Sequence, residues 1–217
     1  MRVVMIHALE ESVPPVKLAF AEEFPEAQLI NLLDQGLFID FAGQLTPQLH
    51  RRMTEFICYA AAYGADAIGL ACSVFAPVVD TAKHLVDVPL ISSYSPVMEQ
   101  AIKQGTRIGI IASVPATLRD SEYYLRHAAA EQGVVVEPRL CLADDLLEVM
   151  RTRGEAAFNQ RLAEEVSLME PEVDAVLLGQ FSFATALSYL QANTRVPVLS
   201  GPRCSARRLK EMLSVAV

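Results

Sequence analysis

Cys72 stands in the run Ala71-Cys72-Ser73-Val74, directly after the apolar stretch Ala67–Ala71. A thiol at the handover from a buried strand to a helix has the following backbone N–H groups and the helix dipole available to favour its thiolate. An ordinary thiol titrates near pH ~8.5, so a modest downward shift makes a base or nucleophile at neutral pH. The plain alternative is an inert thiol packed at a strand end. Gln180 holds the same place in a second run, Leu178-Gly179-Gln180-Phe181. Its amide has no useful proton to exchange, but its N–H can donate to a carboxylate or to an enediolate-like intermediate. It could equally be polar filling of a site whose activity is lost. His7 follows the apolar run Val3–Ile6, with Glu10, Glu11 and Ser12 in the loop beyond. An imidazole titrating near neutrality could supply a second acid or base, although a lone histidine is more often structural. Ser73, Ser113, Thr117 and Ser182 bring hydroxyls to similar loops, where each either helps to bind a carboxylate or caps a helix.

These residues are ordered by an internal repeat. Positions 66–92 align without a gap on positions 174–200, an offset of 108 residues, with identities at Asp66/Asp174, Ala67/Ala175, Leu70/Leu178, Phe75/Phe183, Ala76/Ala184, Val88/Val196, Pro89/Pro197 and Ser92/Ser200. Eight matches among 27 positions indicate a duplicated unit rather than shared composition alone. In the first copy Thr46 caps a helix with Pro47 at its first position, Leu49, Met53, Phe56, Ile57 and Ala60 form its apolar stripe, and Gly64 ends it. The second copy has Phe158, Leu162, Val166 and Met169 at similar spacing, ending before Pro171. Each helix feeds an apolar run, Ala67–Ala71 or Ala175–Gly179, of the kind expected of a strand buried on both faces. A further helix and a strand led by Val-Pro follow in each copy.

Two more runs, Val3–Ile6 and Arg107–Ile111, read as the first strand of each half. Each leads into a helix, one with a stripe of Val16, Phe20 and Phe24, the other of Leu118, Leu125 and Ala128. Alternating strands and helices predict an α/β fold of two doubly wound, parallel-sheet halves with a cleft between them. The expected boundaries are residues 1–94 plus a C-terminal helix over 201–217 for the first half, and 95–200 for the second. Ligand sites in such sheets lie beyond the C-terminal strand ends, here the loops His7–Pro15, Cys72–Ala76, Ser113–Thr117 and Gln180–Ala184. No Gly-x-Gly-x-x-Gly follows a strand and there is no P-loop, so nucleotide cofactors are not expected.

At these loops the sequence resembles the aspartate/glutamate/hydantoin racemase superfamily, whose two pseudo-symmetric halves each carry a catalytic cysteine at a strand end, in patterns like A-C-N-T and L-G-C-T. Ala71-Cys72-Ser73-Val74 matches the first pattern, and Leu178-Gly179-Gln180-Phe181 matches the second with glutamine in place of cysteine. An A-T-x-x-T pattern is approximated by Ala112-Ser113-Val114-Pro115-Ala116-Thr117. The resemblance implies a cofactor-independent racemase or isomerase, with Cys72 and Gln180 in the catalytic positions. It also implies that His7, Ser12, Ser73, Val74, Ser113, Thr117, Phe181 and Ser182 line the substrate site, and that the protein is a homodimer. Racemisation in the family uses two thiols on opposite faces of one carbon, and this chain has one. Decarboxylation of a malonate-like acid, which needs a single proton donor, and cis–trans isomerisation by thiol addition stand beside racemisation. A non-catalytic small-carboxylate-binding protein stands as a reading of another class. Phe75, Phe181 and Phe183 either give the pocket an apolar wall or belong to the core.

Composition excludes other classes. Eighteen basic and 26 acidic residues give a net charge of −8, the wrong sign for nucleic acid. No apolar run approaches the ~18 residues of a membrane span, and the apolar run of four near the N-terminus is too short for a signal peptide, so a cytoplasmic protein is expected. Cys58, Cys72, Cys141 and Cys204 are scattered, without metal-ligand spacing, and read as free thiols with no metal. Cys58 reads as packing on its helix stripe, and Cys141 as packing after a strand over Val134–Val136. Arg203, Arg207, Arg208 and Lys210 read as a solvated helix face, and Glu10-Glu11 as a solvated edge.

Overall fold

The computed structural model describes residues 1–215, and the chain divides into two compact units, Met1–Pro96 together with the segment from Gly201 onward, and Val97–Ser200. In unit 1 the short apolar runs form β1 (Arg2–His7), β2 (Gln28–Leu33), β3 (Ala67–Leu70) and β4 (Leu90–Ile91), all parallel, in the order β2-β1-β3-β4. Unit 2 repeats the plan with β5 (Arg107–Ala112), β6 (Glu137–Leu142), β7 (Ala175–Leu178) and β8 (Val198–Ser200), in the order β6-β5-β7-β8. This is the expected pair of doubly wound α/β halves. Val3–Ile6, Ile108–Ala112 and the whole of β3 and β7 are buried, as strands covered on both faces must be. Strand order reverses between β1 and β3 and between β5 and β7, and such a switch point is where a doubly wound sheet opens a crevice for ligands.

The repeated aspartate has a structural explanation at the opposite end of the sheet. Asp66 accepts from the N–H of Arg2 at 2.6 Å, and Asp174 accepts from the N–H of Arg107 at 2.9 Å and from the Arg107 guanidinium. Each carboxylate therefore anchors the start of the central strand. The Arg107 guanidinium also holds the Asp174 carboxyl below the usual range.

Helix α3 (Pro47–Ala62) starts as expected, with Thr46 Oγ1 accepting from the N–H of Leu49 at 3.3 Å, and ends at Gly64, whose φ of 84° suits a residue without Cβ. Leu49, Met53, Ile57 and Ala60 are its buried stripe; Phe56 and Cys58 lie beside the stripe and are only partly buried. Helix α6 (Pro115–Glu131) corrects the expected stripe by a register step. Thr117, Ser121, Leu125 and Ala129 face inward, while Leu118 and Ala128 are half-buried. Two small polar residues occupy the inward row, so the apolar pattern pointed to the neighbouring row. Helix α7 (Leu146–Met169) is two helical segments joined at Gly154, where φ is 79°, and its second segment buries Phe158, Leu162, Val166 and Met169 against Phe183, Val176 and Leu178.

Two further corrections concern the chain's edges. The strand expected over Val134–Val136 lies at Glu137–Leu142 and includes Cys141; it is an edge strand, where Pro138 is tolerated. The basic face of α9 (Gly201–Val215) is not simply solvated. It is paired with the acidic end of α1 (Val13–Glu23): Arg203 bonds Glu22 and Glu23, Arg207 bonds Glu23 at 2.7 Å, and Lys210 bonds Glu26 at 2.8 Å. No helix among the described residues is long and apolar enough to cross a membrane.

Candidate active site

Cys72 follows β3 at the switch point of unit 1. The N–H of Ala71 donates to Ile6 O at 2.8 Å, which carries the pairing one residue past the strand, and Cys72 then stands as the extended N-cap of a short 3-10 turn, Ser73–Phe75. Its side chain is 6% exposed. Burial pushes the thiol up to about 12. The N–H groups of Val74 and Phe75 pull the other way, too weakly to offset burial, and neither closes a side-chain cap bond. The expected lowering of the thiol is therefore corrected. The helix that follows, α4 (Val78–Ala82), is five residues long and starts six residues on, so little dipole reaches the sulfur. At neutral pH Cys72 is a protonated thiol.

His7 ends β1 beside this turn, since Ile6 pairs with Leu70 across the sheet. It is fully buried, with Nδ1 at 2.6 Å from Ser12 Oγ and Nε2 at 2.8 Å from Asn31 Oδ1. With Nε2–H donating to Asn31, Nδ1 is an acceptor, and the single proton of the Ser12 hydroxyl is shared between Nδ1 and Leu9 O, 2.7 Å away. Burial lowers the imidazole to about 4, against a partial lift from Asn31. The expectation that His7 titrates near neutrality is corrected: it is a neutral, hydrogen-bonded strut for the loop 8–12. Ser12 is buried within the same network. Asn31 was not singled out by the sequence reading. Its signal is a lone amide inside Leu29-Ile30-Asn31-Leu32-Leu33.

Unit 2 has the same backbone at the equivalent place. The N–H of Gly179 donates to Ile111 O at 2.9 Å, and Gln180 caps the 3-10 turn Phe181–Ala186 in the same extended conformation as Cys72. Gln180 is as buried as Cys72, but it is held: its Oε1 accepts from the N–H of Ser113 at 2.7 Å and from Ser113 Oγ at 2.8 Å. The residue before it is closely packed. A Cβ on Gly179 would lie 3.0 Å from Ile111 O and 3.2 Å from the Ala112 Cβ.

The remaining sequence-predicted residues divide between these two rims. Ser73 and Val74 are buried in the turn after Cys72; Phe181 and Ser182 are buried in the turn after Gln180, and Ser182 Oγ has no partner there. Thr117 is buried on the first turn of α6. Phe75 and Phe183 are core residues, packed on Phe41 and Phe158 with ring centroids 6.3 Å and 5.5 Å apart. Glu10 is exposed and accepts from Gln35 Nε2. All four cysteines are free thiols. Cys141 is half-buried and donates to Glu165 at 3.2 Å; burial, then that carboxylate, pushes it up to about 12. Cys58 lines a groove of about 670 Å³ with Leu45, His50, Thr81 and Leu85. Among the described residues no three His, Cys, Asp or Glu side chains form a metal-binding group.

Residues 41–212 match the family model described as Asp/Glu/Hydantoin racemase. The chain belongs to the Asp/Glu/hydantoin racemase family. Membership makes it a racemase-type enzyme, in agreement with the resemblance. A glutamate racemase from Trichodesmium erythraeum is 26% identical over 204 residues, 88% of this chain and 73% of that protein. An allantoin racemase from Klebsiella pneumoniae has the same fold at 20% identity, with a TM-score of 0.74 over 100% of this chain and 89% of that one. A glutamate racemase isoform from Bacillus anthracis is similar at 17% identity, with a TM-score of 0.77 over 99% of this chain and 82% of that one.

Proposed function

We propose that this family member acts on a small carboxylic acid or amino-acid derivative, and that Cys72 is the group that exchanges a proton with the substrate carbon. The observation that carries the reading is a buried thiol at the end of a central strand, at the switch point of the unit 1 sheet. In the forward direction the Cys72 thiolate takes the proton from the carbon α to a carboxyl group, and the electron pair left behind spreads into that carboxyl as an enediolate. In the return step the S–H gives a proton back to the carbon. The resting enzyme holds the form that serves the second step, because burial keeps the thiol protonated. Abstraction therefore requires the Cys72 proton to pass to solvent water before the thiolate takes the proton of the carbon. Gln180, at the equivalent strand end of unit 2, carries N–H donors of the kind that suit a carboxylate or enediolate oxygen.

A second reading is favoured by the same protonated thiol. Decarboxylation of a malonate-like acid generates the enediolate by loss of carbon dioxide, and then needs one proton donor and no base. Cys72 fits that task without further activation.

Incubation of the wild type and Cys72→Ala in D2O with amino acids, hydantoins, maleate and substituted malonates, followed by proton NMR, tests both readings. Deuterium at an α-carbon of unchanged acid supports racemase-type exchange, and loss of a carboxyl group supports decarboxylation. In either case turnover falls by about 10³ or more in Cys72→Ala. Undiminished turnover in that variant sinks the role of Cys72. Ligand-induced thermal shifts with no turnover across the panel would point instead to a non-catalytic carboxylate-binding protein.

A further inference from the structure

We propose that Ser113 is a positioning residue that clamps the Gln180 amide, so that the unit 2 rim offers a ligand only the Nε2 donors of Gln180 and selects a hydrogen-bond acceptor there, a carboxylate or enediolate oxygen. This rests on the reading that Gln180 meets the substrate.

The orientation of a glutamine amide is usually ambiguous, because its oxygen and nitrogen have nearly the same shape. Here it is forced. The amide atom 2.7 Å from the backbone nitrogen of Ser113 faces an N–H that can only donate, so that atom must be the oxygen. The Ser113 hydroxyl reaches the same oxygen at 2.8 Å and completes its two acceptor positions. Gln180 Oε1 is thus filled from within unit 2, and the amide nitrogen is the end left to recognise a ligand. Hydrogen bonds on the carbonyl polarise the amide and strengthen its N–H groups as donors.

Three features show that this clamp belongs to the second rim. The strand registers Ile6 with Leu70 and Ile111 with Leu178 make Ala8 the counterpart of Ser113, so the rim that carries the thiol has a methyl group where the other has a hydroxyl donor. Gly179 stands where unit 1 has Ala71, and it packs closely on β5, since a Cβ there would lie 3.0 Å from Ile111 O. Both partners are more than nine-tenths buried, so the pair is shielded from competing water. The sequence reading placed Ser113 among the ligand contacts; its N–H and O–H are instead committed to Gln180. A group that is itself only a donor, such as an ammonium, finds no acceptor on this amide.

The test uses the full chain and four forms: wild type, Ser113→Ala, Ser113→Thr and Gln180→Glu. The Gln180→Glu carboxylate keeps an acceptor for both Ser113 donors while replacing the outward N–H donors by an oxygen, so the fold is retained and only the recognition is reversed. Binding of malonate and maleate is measured by calorimetry. The side-chain amide signals of Gln180, identified by their loss in Gln180→Glu, are followed by NMR in ligand-free protein. The proposal expects Ser113→Ala to shift those signals and speed their hydrogen exchange, and to weaken binding about tenfold. Ser113→Thr restores both, and Gln180→Glu weakens binding by about 100-fold or more at pH 7. Unchanged amide signals in Ser113→Ala, or undiminished binding by Gln180→Glu, overturn the clamp. If wild type binds neither acid, the reading of Gln180 as a contact for such ligands fails, and the amide signals alone then decide whether Ser113 holds Gln180.

Discussion

The two rims share a backbone and differ in what that backbone carries. Cys72 and Gln180 each cap a 3-10 turn after the third strand of their sheet, with φ and ψ of −130° and 119° at one and −124° and 140° at the other. The equivalent turns repeat the same bonds, Phe75 N–H to Cys72 O at 3.3 Å and Phe183 N–H to Gln180 O at 3.1 Å. Yet the thiol stands in an apolar setting that keeps it protonated, and the amide is fixed by two donors from the neighbouring strand. A duplicated fold preserves the position of a functional group more faithfully than its chemistry. The side chains, rather than the turn itself, determine whether the rim presents a buried thiol or a fixed amide.

The sharpest way to break this comparison is to make the rims alike. Replacing the thiol by Cys72→Ala leaves neither rim with a thiol, and turnover of any substrate found in the D2O panel falls by about 10³ or more.

The protonation of Cys72 is tested by its reactivity. With the thiol pushed up to about 12, its alkylation by iodoacetamide at pH 8 should be about 10³ slower than that of an ordinary exposed thiol, because the thiolate fraction falls tenfold per pH unit below the pKa. Mass spectrometry of Cys72 peptides, with a short unstructured cysteine peptide as the reference, reads the ratio. A ratio near one would show that the sulfur is activated.

A smaller effect separates the struts of the two rims. His7 in unit 1 is held at about 4, below its unfolded value near 6.5. A group lowered on folding contributes stability that is present above pH 6.5 and is lost as pH falls toward 4. Between pH 7 and pH 5 the wild type should therefore lose about 2 kcal/mol more unfolding free energy than His7→Gln, measured by urea titration of both proteins. Equal losses would show that His7 is solvated. The smallest effect lies at the far end of the sheets, where the units agree: Asp66→Ala and Asp174→Ala should each cost about 1 kcal/mol, because each removes an acceptor from the first N–H of a central strand.

Much of this architecture is visible in the sequence because the repeat ties distant residues together. The matched Asp66 and Asp174, the paired Val-Pro steps and the capped start of α3 follow from local chemistry that a linear chain displays. The catalytic candidate is legible for the same reason, since Cys72 falls at a strand end in both the pattern and the fold. What the sequence concealed depends on environment. Burial of Cys72 and His7 reverses the titration expected from residue type, and no spacing rule carries the local dielectric. Thr117 and Ser121 face inward on α6 although they are polar, so hydrophobic periodicity chose the adjacent row. The bond between Ser113 and Gln180 joins residues 67 apart in sequence, and only the pairing of β5 with β7 brings them together.

The return of α9 to unit 1 bears on the order in which the molecule is made. Unit 2 is one uninterrupted stretch, Val97–Ser200, and all four of its strands have been synthesised before Gly201 is added. Unit 1 begins the chain but waits for Arg203, Arg207 and Lys210 to reach the acidic end of α1. Domains fold as units during synthesis, usually the earlier one first. Here the order of synthesis is inverted: the last residue of the unit with the glutamine rim is added before the first residue of the helix that completes the half with the thiol, so unit 1 cannot finish folding before the chain of unit 2 has been made.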